Sequence, residues 1–170
     1  AKGGICVDPM ALSRQELQAL TRRYVTEINP FIGPDKDIPA PDIGTDEQTM
    51  AWFMDTYSQI QGFAVPGIVT GKPIAIGGSL GRSESTGKGV AFCINFAYEE
   101  MGKEIGKSTT VAIHGFGKVG IPAAHDLFEQ GAKIVAVSDV SGGIYNANGL
   151  NPRDVEKWVK ENRYIKGYPH

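Results

Sequence analysis

The sequence contains few of the residues that build metal centres, disulfide frameworks or nucleic-acid surfaces. It has three histidines and two widely separated cysteines, Cys6 and Cys93, which we expect to be reduced and structural, and no metal site is expected. Seventeen basic residues against nineteen acidic ones form no block that would follow a phosphate backbone. No apolar run could cross a bilayer, and the first residues lack a signal-peptide layout. These absences favour a cytoplasmic protein that binds neither nucleic acid nor a membrane.

Glycine is abundant, and hydrophobic periodicity divides the chain near a glycine-punctuated loop over residues 63–85. Before this loop we expect a short strand over residues 3–9 and two helices. Ser13 with Glu16 caps the first helix, and Thr45 with Gln48 caps the second.

After the loop, the pattern alternates between helices and strands. A long helix is predicted to follow Thr86, with an apolar stripe formed by Val90, Ile94, Ala97, Met101 and Ile105. Strands over 109–115 and 132–139 flank a helix over 118–131, and a last helix over 151–163 is capped by Asn151. Nearly continuous apolar strands joined through a helix predict a parallel sheet that is covered on both faces.

The stretch "IHGFGKVG" places three glycines in the spacing G-x-G-x-x-G, between a predicted strand and a predicted helix. Gly115 permits the tight turn, Gly117 lets the backbone reach a pyrophosphate, and Gly120 lets helix and strand pack closely. Asp139 ends the next strand, where a carboxylate accepts hydrogen bonds from ribose hydroxyls. The following residues, "VSGG", contain no base, so the sequence favours NAD over NADP.

Two ionisable residues stand out in the first third of the chain. Lys2 has only small neighbours in "AKGG", and burial there would lower the lysine pKa towards neutrality and make it a usable base. Asp42 lies in the proline-stiffened stretch "IPAPDIGT". From spacing alone, the sequence favours a solvated terminal lysine for Lys2 and a helix-entry cap for Asp42.

The motifs "AKGGI", "DIPAPDIGT", "GIVTGKP", "GGSLGRSESTGKGV" and "GFGKVG" together resemble the glutamate dehydrogenase family, within the amino-acid dehydrogenase superfamily. The resemblance covers nearly the whole chain. It implies that Lys2 is the catalytic base and that Asp42 assists proton transfer. It also implies that Arg82 and Thr86 approach the nicotinamide end of the cofactor.

One position of the glycine fingerprint departs from the family. In addition to the three glycines, the fingerprint contains Phe116, Lys118 and Val119, all expected at the cofactor. The family usually has asparagine where this chain has Lys118. An amide contact is therefore not available there, although an ammonium group could pair with phosphate instead.

The resemblance implies an enzyme of reversible oxidative deamination, which converts L-glutamate to 2-oxoglutarate and ammonia with NAD, or with NADP as a possibility. A dehydrogenase for leucine, valine or phenylalanine, and a non-catalytic NAD-sensing module, remain alternatives. The resemblance also implies a homo-oligomer, as a hexamer.

The expected fold class is α/β. Residues 1–70 are expected to be the C-terminal part of an α/β substrate domain, and residues 71–170 the first half of a Rossmann-type doubly wound nucleotide-binding domain. The visible strands are too few for two complete domains, so we expect an internal segment of a longer protein, inactive on its own.

Overall fold

Five α-helices and three β-strands form the regular structure of residues 3–169, the part of the chain that the computed structural model describes. The elements are α1 (Arg14–Ile28), α2 (Glu47–Gln61), α3 (Arg82–Glu100), β1 (Thr110–His114), α4 (Gly120–Glu129), β2 (Lys133–Asp139), β3 (Gly142–Leu150) and α5 (Pro152–Asn162).

The chain forms two compact units, Ala1–Leu80 and Gly81–His170. The division falls within the glycine-rich loop that the sequence analysis identified. A division by function near residue 70 stays a prediction, because the bounds of a compact unit do not show what the unit does. The mixture of helices and strands confirms the α/β fold class.

Helices α1 and α2 pack together in the first unit. Ser13 caps α1 with the predicted capping box to Glu16. The cap predicted for α2 was wrong by one residue, because Oδ1 of Asp46 accepts the Thr49 N–H at 2.8 Å. The hydroxyl of Thr45 instead donates to the carbonyl of Asp42. Buried apolar side chains form the core of this unit: Val25, Ile32, Met50, Phe53, Tyr57, Ile68 and Val69.

The strand predicted over residues 3–9 does not form. The Val7 N–H donates to the Ile5 carbonyl at 3.0 Å, which is a tight local turn rather than a strand. Within the described part of the first unit, no other segment is a strand that could pair with it. A short segment does not form a strand without such a partner.

In the second unit, the sheet has the order β1-β2-β3. Strands β1 and β2 are parallel, as predicted, and α4 connects them. Strand β3 is antiparallel to β2 and was not predicted, so the sheet is mixed rather than parallel. Its glycines and asparagines have low intrinsic strand preference, and pairing with β2 overrides that preference.

The sheet is not covered on both faces by the described residues. Thr110, Ala112 and His114 alternate along β1 with half-buried residues, and all three are exposed. The opposite face packs into the core of the unit, which includes Ala124, Leu127, Ile134, Val137, Val155 and Ile165.

Helix α3 begins at Arg82, five residues before the predicted start, and ends at Glu100. The predicted stripe was only partly right. Ile94 and Ile105 pack against the core of the unit, although Ile105 lies beyond the helix. Val90 is 41% exposed, Ala97 is exposed and Met101 caps the helix. The buried residues of α3 are Gly87 and Ala91. Small residues face α4 because the two helices approach closely there.

The contact between α3 and α4 requires glycine at position 87. A Cβ on Gly87 would lie 2.6 Å from the Val119 carbonyl oxygen and 2.7 Å from Cβ of Pro122, whereas a Cβ on Gly89 would meet no described atom within 4 Å. We expect Gly87→Ala to destabilise the complete protein by about 2 kcal/mol through overpacking. Gly89→Ala is the matched control and should be neutral or stabilising by about 0.5 kcal/mol. Thermal unfolding checks this, and equal Tm values for the two variants would contradict it.

Candidate dinucleotide and acid–base sites

The glycine fingerprint forms the turn between β1 and α4. Gly115 has φ 93°, a left-handed conformation that favours glycine, and its N–H donates to the Ser138 carbonyl at 2.8 Å. A Cβ on Gly120 would overlap the Gly115 carbonyl oxygen. A Cβ on Gly117 would meet no described atom within 4 Å, so this backbone is open to an approaching group. The three glycines therefore differ in what they provide: Gly115 a left-handed backbone, Gly117 an open backbone and Gly120 a close contact.

The start of α4 can hold an anion. Phe116 is buried and anchors the turn, while Lys118 and Val119 are exposed beside it. In the described structure, no side chain caps the N-terminus of α4 at Val119. The N–H of Ile121 donates to the Gly117 carbonyl at 3.0 Å, and Pro122 has no N–H. The donors that can face an anion here are therefore backbone N–H groups of the turn and of Gly120, where the helix dipole favours negative charge. This donor set fits a pyrophosphate group.

The first turns of α3 lie next to the start of α4. Gly87 contacts the backbone of Val119 and Ala123, which places the neighbouring Thr86 beside the fingerprint turn. Arg82 and Thr86 are both exposed. Gly87 was not predicted from the sequence, although a glycine inside a helical pattern is a signal of close packing.

Asp139 ends β2 and holds two turns together. Its Oδ1 accepts the N–H of Ser141 at 2.7 Å and the hydroxyl of Ser141 at 2.5 Å, and its Oδ2 accepts the N–H of Ile165 at 2.8 Å. Burial raises the pKa of the Asp139 carboxyl, but these hydrogen bonds and one from the Gly142 N–H outweigh burial, so the pKa is lowered overall. The carboxylate is therefore ionised and engaged inside the protein.

Asp42 lines a cavity of about 340 Å³ in the first unit. Gly3 and Gly4, which follow Lys2 in the sequence, line the same cavity. Lys2 itself lies outside the described residues. The cap of α2 is Asp46, so Asp42 is not the helix-entry cap that spacing alone favours. Its carboxylate is exposed and accepts the Ile43 N–H at 2.9 Å.

Neither of the two cysteines forms a disulfide bond. Cys6 and Cys93 are free, as predicted, but both are exposed, so the prediction that they are structural was wrong. In residues 3–169, no group of three or more histidine, cysteine, aspartate or glutamate side chains could hold a metal ion. None of the helices described there is long and apolar enough to cross a membrane.

Comparison with known proteins identifies the family. A family model described as Glutamate/Leucine/Phenylalanine/Valine dehydrogenase matches residues 77–170. A second model, described as Glu/Leu/Phe/Val dehydrogenase, dimerisation domain, matches residues 1–59. The chain belongs to this family. The family resemblance expected from the motifs is thereby confirmed.

Individual members of the Glu/Leu/Phe/Val dehydrogenase family align along nearly the whole chain. It is 50% identical over 169 residues to "Glutamate dehydrogenase" of Thermotoga maritima, covering 99% of this chain and 40% of that protein. It is 47% identical to "NAD-specific glutamate dehydrogenase A" of Halobacterium salinarum, covering 99% of this chain and 38% of that protein. The "hetero-hexameric glutamate dehydrogenase from Thermus thermophilus (Leu bound form)" superimposes with a TM-score of 0.92 at 42% identity, covering 96% and 39% of the two chains. The chain thus spans about two fifths of the length of these relatives.

The hydrogen bonds of Asp139 give stability a specific pH dependence. The pKa of Asp139 in the folded state lies below the unfolded value of about 3.9. The stability that its hydrogen bonds contribute is therefore present above that value and is lost as pH falls through the lowered folded-state pKa. We expect Asp139→Asn to lower the Tm of the complete protein at pH 7. The Tm difference from wild type should shrink below about pH 4. A difference that stays constant from pH 7 to pH 3 would contradict the assignment.

Proposed function

We propose that the protein containing this sequence is a glutamate dehydrogenase, which catalyses the reversible oxidative deamination of L-glutamate to 2-oxoglutarate and ammonia with a nicotinamide cofactor. The observation that carries the proposal is the fingerprint turn. It combines the left-handed Gly115, the close approach at Gly120 and the uncapped start of α4 within the described structure. The names of the similar proteins, which are glutamate dehydrogenases, support the same substrate.

The cofactor would lie along the edge formed by the fingerprint turn and the end of β2. Backbone groups from Gly115 to Gly120 would face the pyrophosphate, and Lys118 would add a positive charge near it. Arg82 and Thr86 on α3 would approach the nicotinamide end. Asp139 would receive a ribose hydroxyl, and its negative charge favours NAD, while NADP is also possible.

The proposed chemistry divides acid–base work between Lys2 and Asp42. The bound cofactor supplies the acceptor for the hydride that leaves the α-carbon of the substrate, which gives an imine. Lys2 activates the water that attacks this imine, and Asp42 carries the proton to and from the nitrogen as ammonia departs. An exposed carboxylate that lines a cavity together with Gly3 and Gly4 is suited to such a transfer.

A second candidate substrate is leucine, valine or phenylalanine, because the matching family model carries these names as well. Substrate choice depends on whether the pocket around the side chain is cationic or apolar. A non-catalytic module that senses NAD would keep the fingerprint turn but would need neither Lys2 nor Asp42.

We further propose that the protein assembles as a homo-oligomer, as a hexamer, in the cytoplasm. The name of the model that matches residues 1–59 contains "dimerisation domain", and the similar Thermus thermophilus structure is called hetero-hexameric. Both names support assembly through subunits of this family.

The substrate is tested by the rate of NADH formation. We expect the complete protein, supplied with NAD, to oxidise L-glutamate at least a hundredfold faster, in kcat/KM, than leucine, valine or phenylalanine. Such a ratio corresponds to about 3 kcal/mol of transition-state discrimination. A faster rate with an apolar amino acid would favour the second candidate. No oxidation of any of the four would favour the sensing module.

The acid–base roles are tested by Lys2→Ala and Asp42→Asn in the complete protein. Loss of a positioned acid or base should lower kcat by about 10²- to 10⁴-fold. Binding of NAD should stay within twofold of wild type, because neither side chain belongs to the proposed cofactor site. Lys36→Ala is the control, since this exposed lysine donates to the Pro30 carbonyl at 3.3 Å, does not line the cavity and should keep wild-type kcat. Wild-type turnover in Lys2→Ala would overturn the role of Lys2.

A further inference from the structure

The Asp42 turn, residues 42–45, is closed by the side chain of Thr45. The hydroxyl oxygen of Thr45 accepts the N–H of Asp42 at 2.7 Å, and the same hydroxyl donates to the Asp42 carbonyl at 2.8 Å. The Thr45 N–H also donates to that carbonyl, at 3.0 Å. Gly44 has φ 75°, the left-handed conformation that the third position of such a turn requires. Both backbone polar groups of Asp42 are therefore bonded to the Thr45 hydroxyl.

The chain on either side of this turn is held by other contacts. Before the turn, Pro41 lies against Gly71, where an added Cβ would be 2.6 Å from Cγ of Pro41. After the turn, Asp46 caps α2. These contacts do not involve the Thr45 hydroxyl. Loss of that hydroxyl would therefore change the conformation of Asp42 itself rather than displace the whole segment.

The backbone conformation of Asp42 determines where its carboxylate can point, because the allowed side-chain rotamers depend on φ and ψ. The carboxylate is held inside the same turn, since its Oδ1 accepts the Ile43 N–H at 2.9 Å. Asp42 and Thr45 both line the cavity of about 340 Å³ in the first unit. The hydroxyl that fixes the turn thus also fixes the direction of the carboxylate at this cavity.

We infer that Thr45 is a positioning residue for proton transfer, which holds the Asp42 carboxylate in the orientation that the reaction uses. Helix capping does not account for the Thr45 hydroxyl, because Asp46 caps α2. The inference rests on the proposed function and adds a residue to it. Thr45 acts through Asp42, so its effect on the rate exists only while the Asp42 carboxylate is present.

The test measures kcat and KM of the complete protein with the amino acid that the wild type oxidises fastest. Thr45→Val keeps the shape of the side chain and removes the hydroxyl, so the Asp42 N–H loses this acceptor. We expect kcat to fall about 10- to 100-fold and KM to stay within about threefold, because a misplaced proton-transfer group weakens the transition state more than substrate binding. Thr45→Ser keeps the hydroxyl and should restore kcat to within about threefold of wild type.

Thr26→Val is the matched control. The Thr26 hydroxyl donates to the Arg22 carbonyl at 2.9 Å, and this exposed residue does not line the cavity, so kcat should equal that of wild type. Thr45→Ala is a second variant without the hydroxyl, and it should show the same loss of kcat as Thr45→Val. It provides the measurement if the bulkier valine prevents folding.

A double-mutant cycle separates positioning from a general structural role. In the background Asp42→Asn, Thr45→Val should change kcat by less than about twofold, because the carboxylate that Thr45 positions is already gone. Equal losses from Thr45→Val with and without Asp42→Asn would overturn the inference. Wild-type kcat in both Thr45→Val and Thr45→Ala would overturn it as well.

Failure of the inference is distinguishable from failure of the proposed function. Either of the two contradicting results is obtained with a wild-type protein that oxidises an amino acid, so the proposed function would stand. A wild-type protein that oxidises no amino acid would contradict the proposed function itself, and the inference with it.

Discussion

The close approach of the Gly120 backbone to the Gly115 carbonyl is the contact on which the second unit depends. No side chain fits between them, because a Cβ on Gly120 would overlap the carbonyl oxygen. This contact fixes the start of α4 against the end of β1, next to Gly117, where an added Cβ would meet no described atom within 4 Å. Because Gly87 has no side chain, α3 packs closely against the same end of α4. One constraint on backbone distance thus determines where an anion could bind and which residues of α3 stand beside it.

A second, electrostatic constraint operates at the end of β2. Asp139 connects the turn into β3 with the turn after α5, and the hydrogen bonds that hold these turns also keep the carboxylate ionised. We propose that the same carboxylate lies beside the ribose of a bound dinucleotide. Its hydrogen bonds within the protein then limit the acceptor positions that it can offer to the ribose.

Features marked by a residue pattern were predictable from the sequence, and features that depend on an unmarked partner were not. The Ser13 cap and the glycine turn have signature residues. Apolar runs on both sides of a helix marked the parallel pair β1 and β2, although its paired residues are 23 or 24 positions apart. Strand β3 forms only because β2 is there to pair with it. The apolar stripe predicted for α3 was only partly right, because the residues that α3 buries are small ones, Gly87 and Ala91, rather than large apolar ones. At the site, the hydrogen bond from the Ile165 N–H to Asp139 joins residues that are 26 positions apart, and no sequence pattern predicts it.

The most direct measurement of the central claim is hydrogen–deuterium exchange of the complete protein with and without ADP-ribose. Binding at the fingerprint turn should slow exchange of the backbone N–H groups in peptides that cover residues 114–122, because those groups gain acceptors. Peptides that cover residues 39–46, which include the Asp42 turn, should exchange at the same rate in both states. Saturation with ADP-ribose that leaves residues 114–122 unchanged would contradict the account.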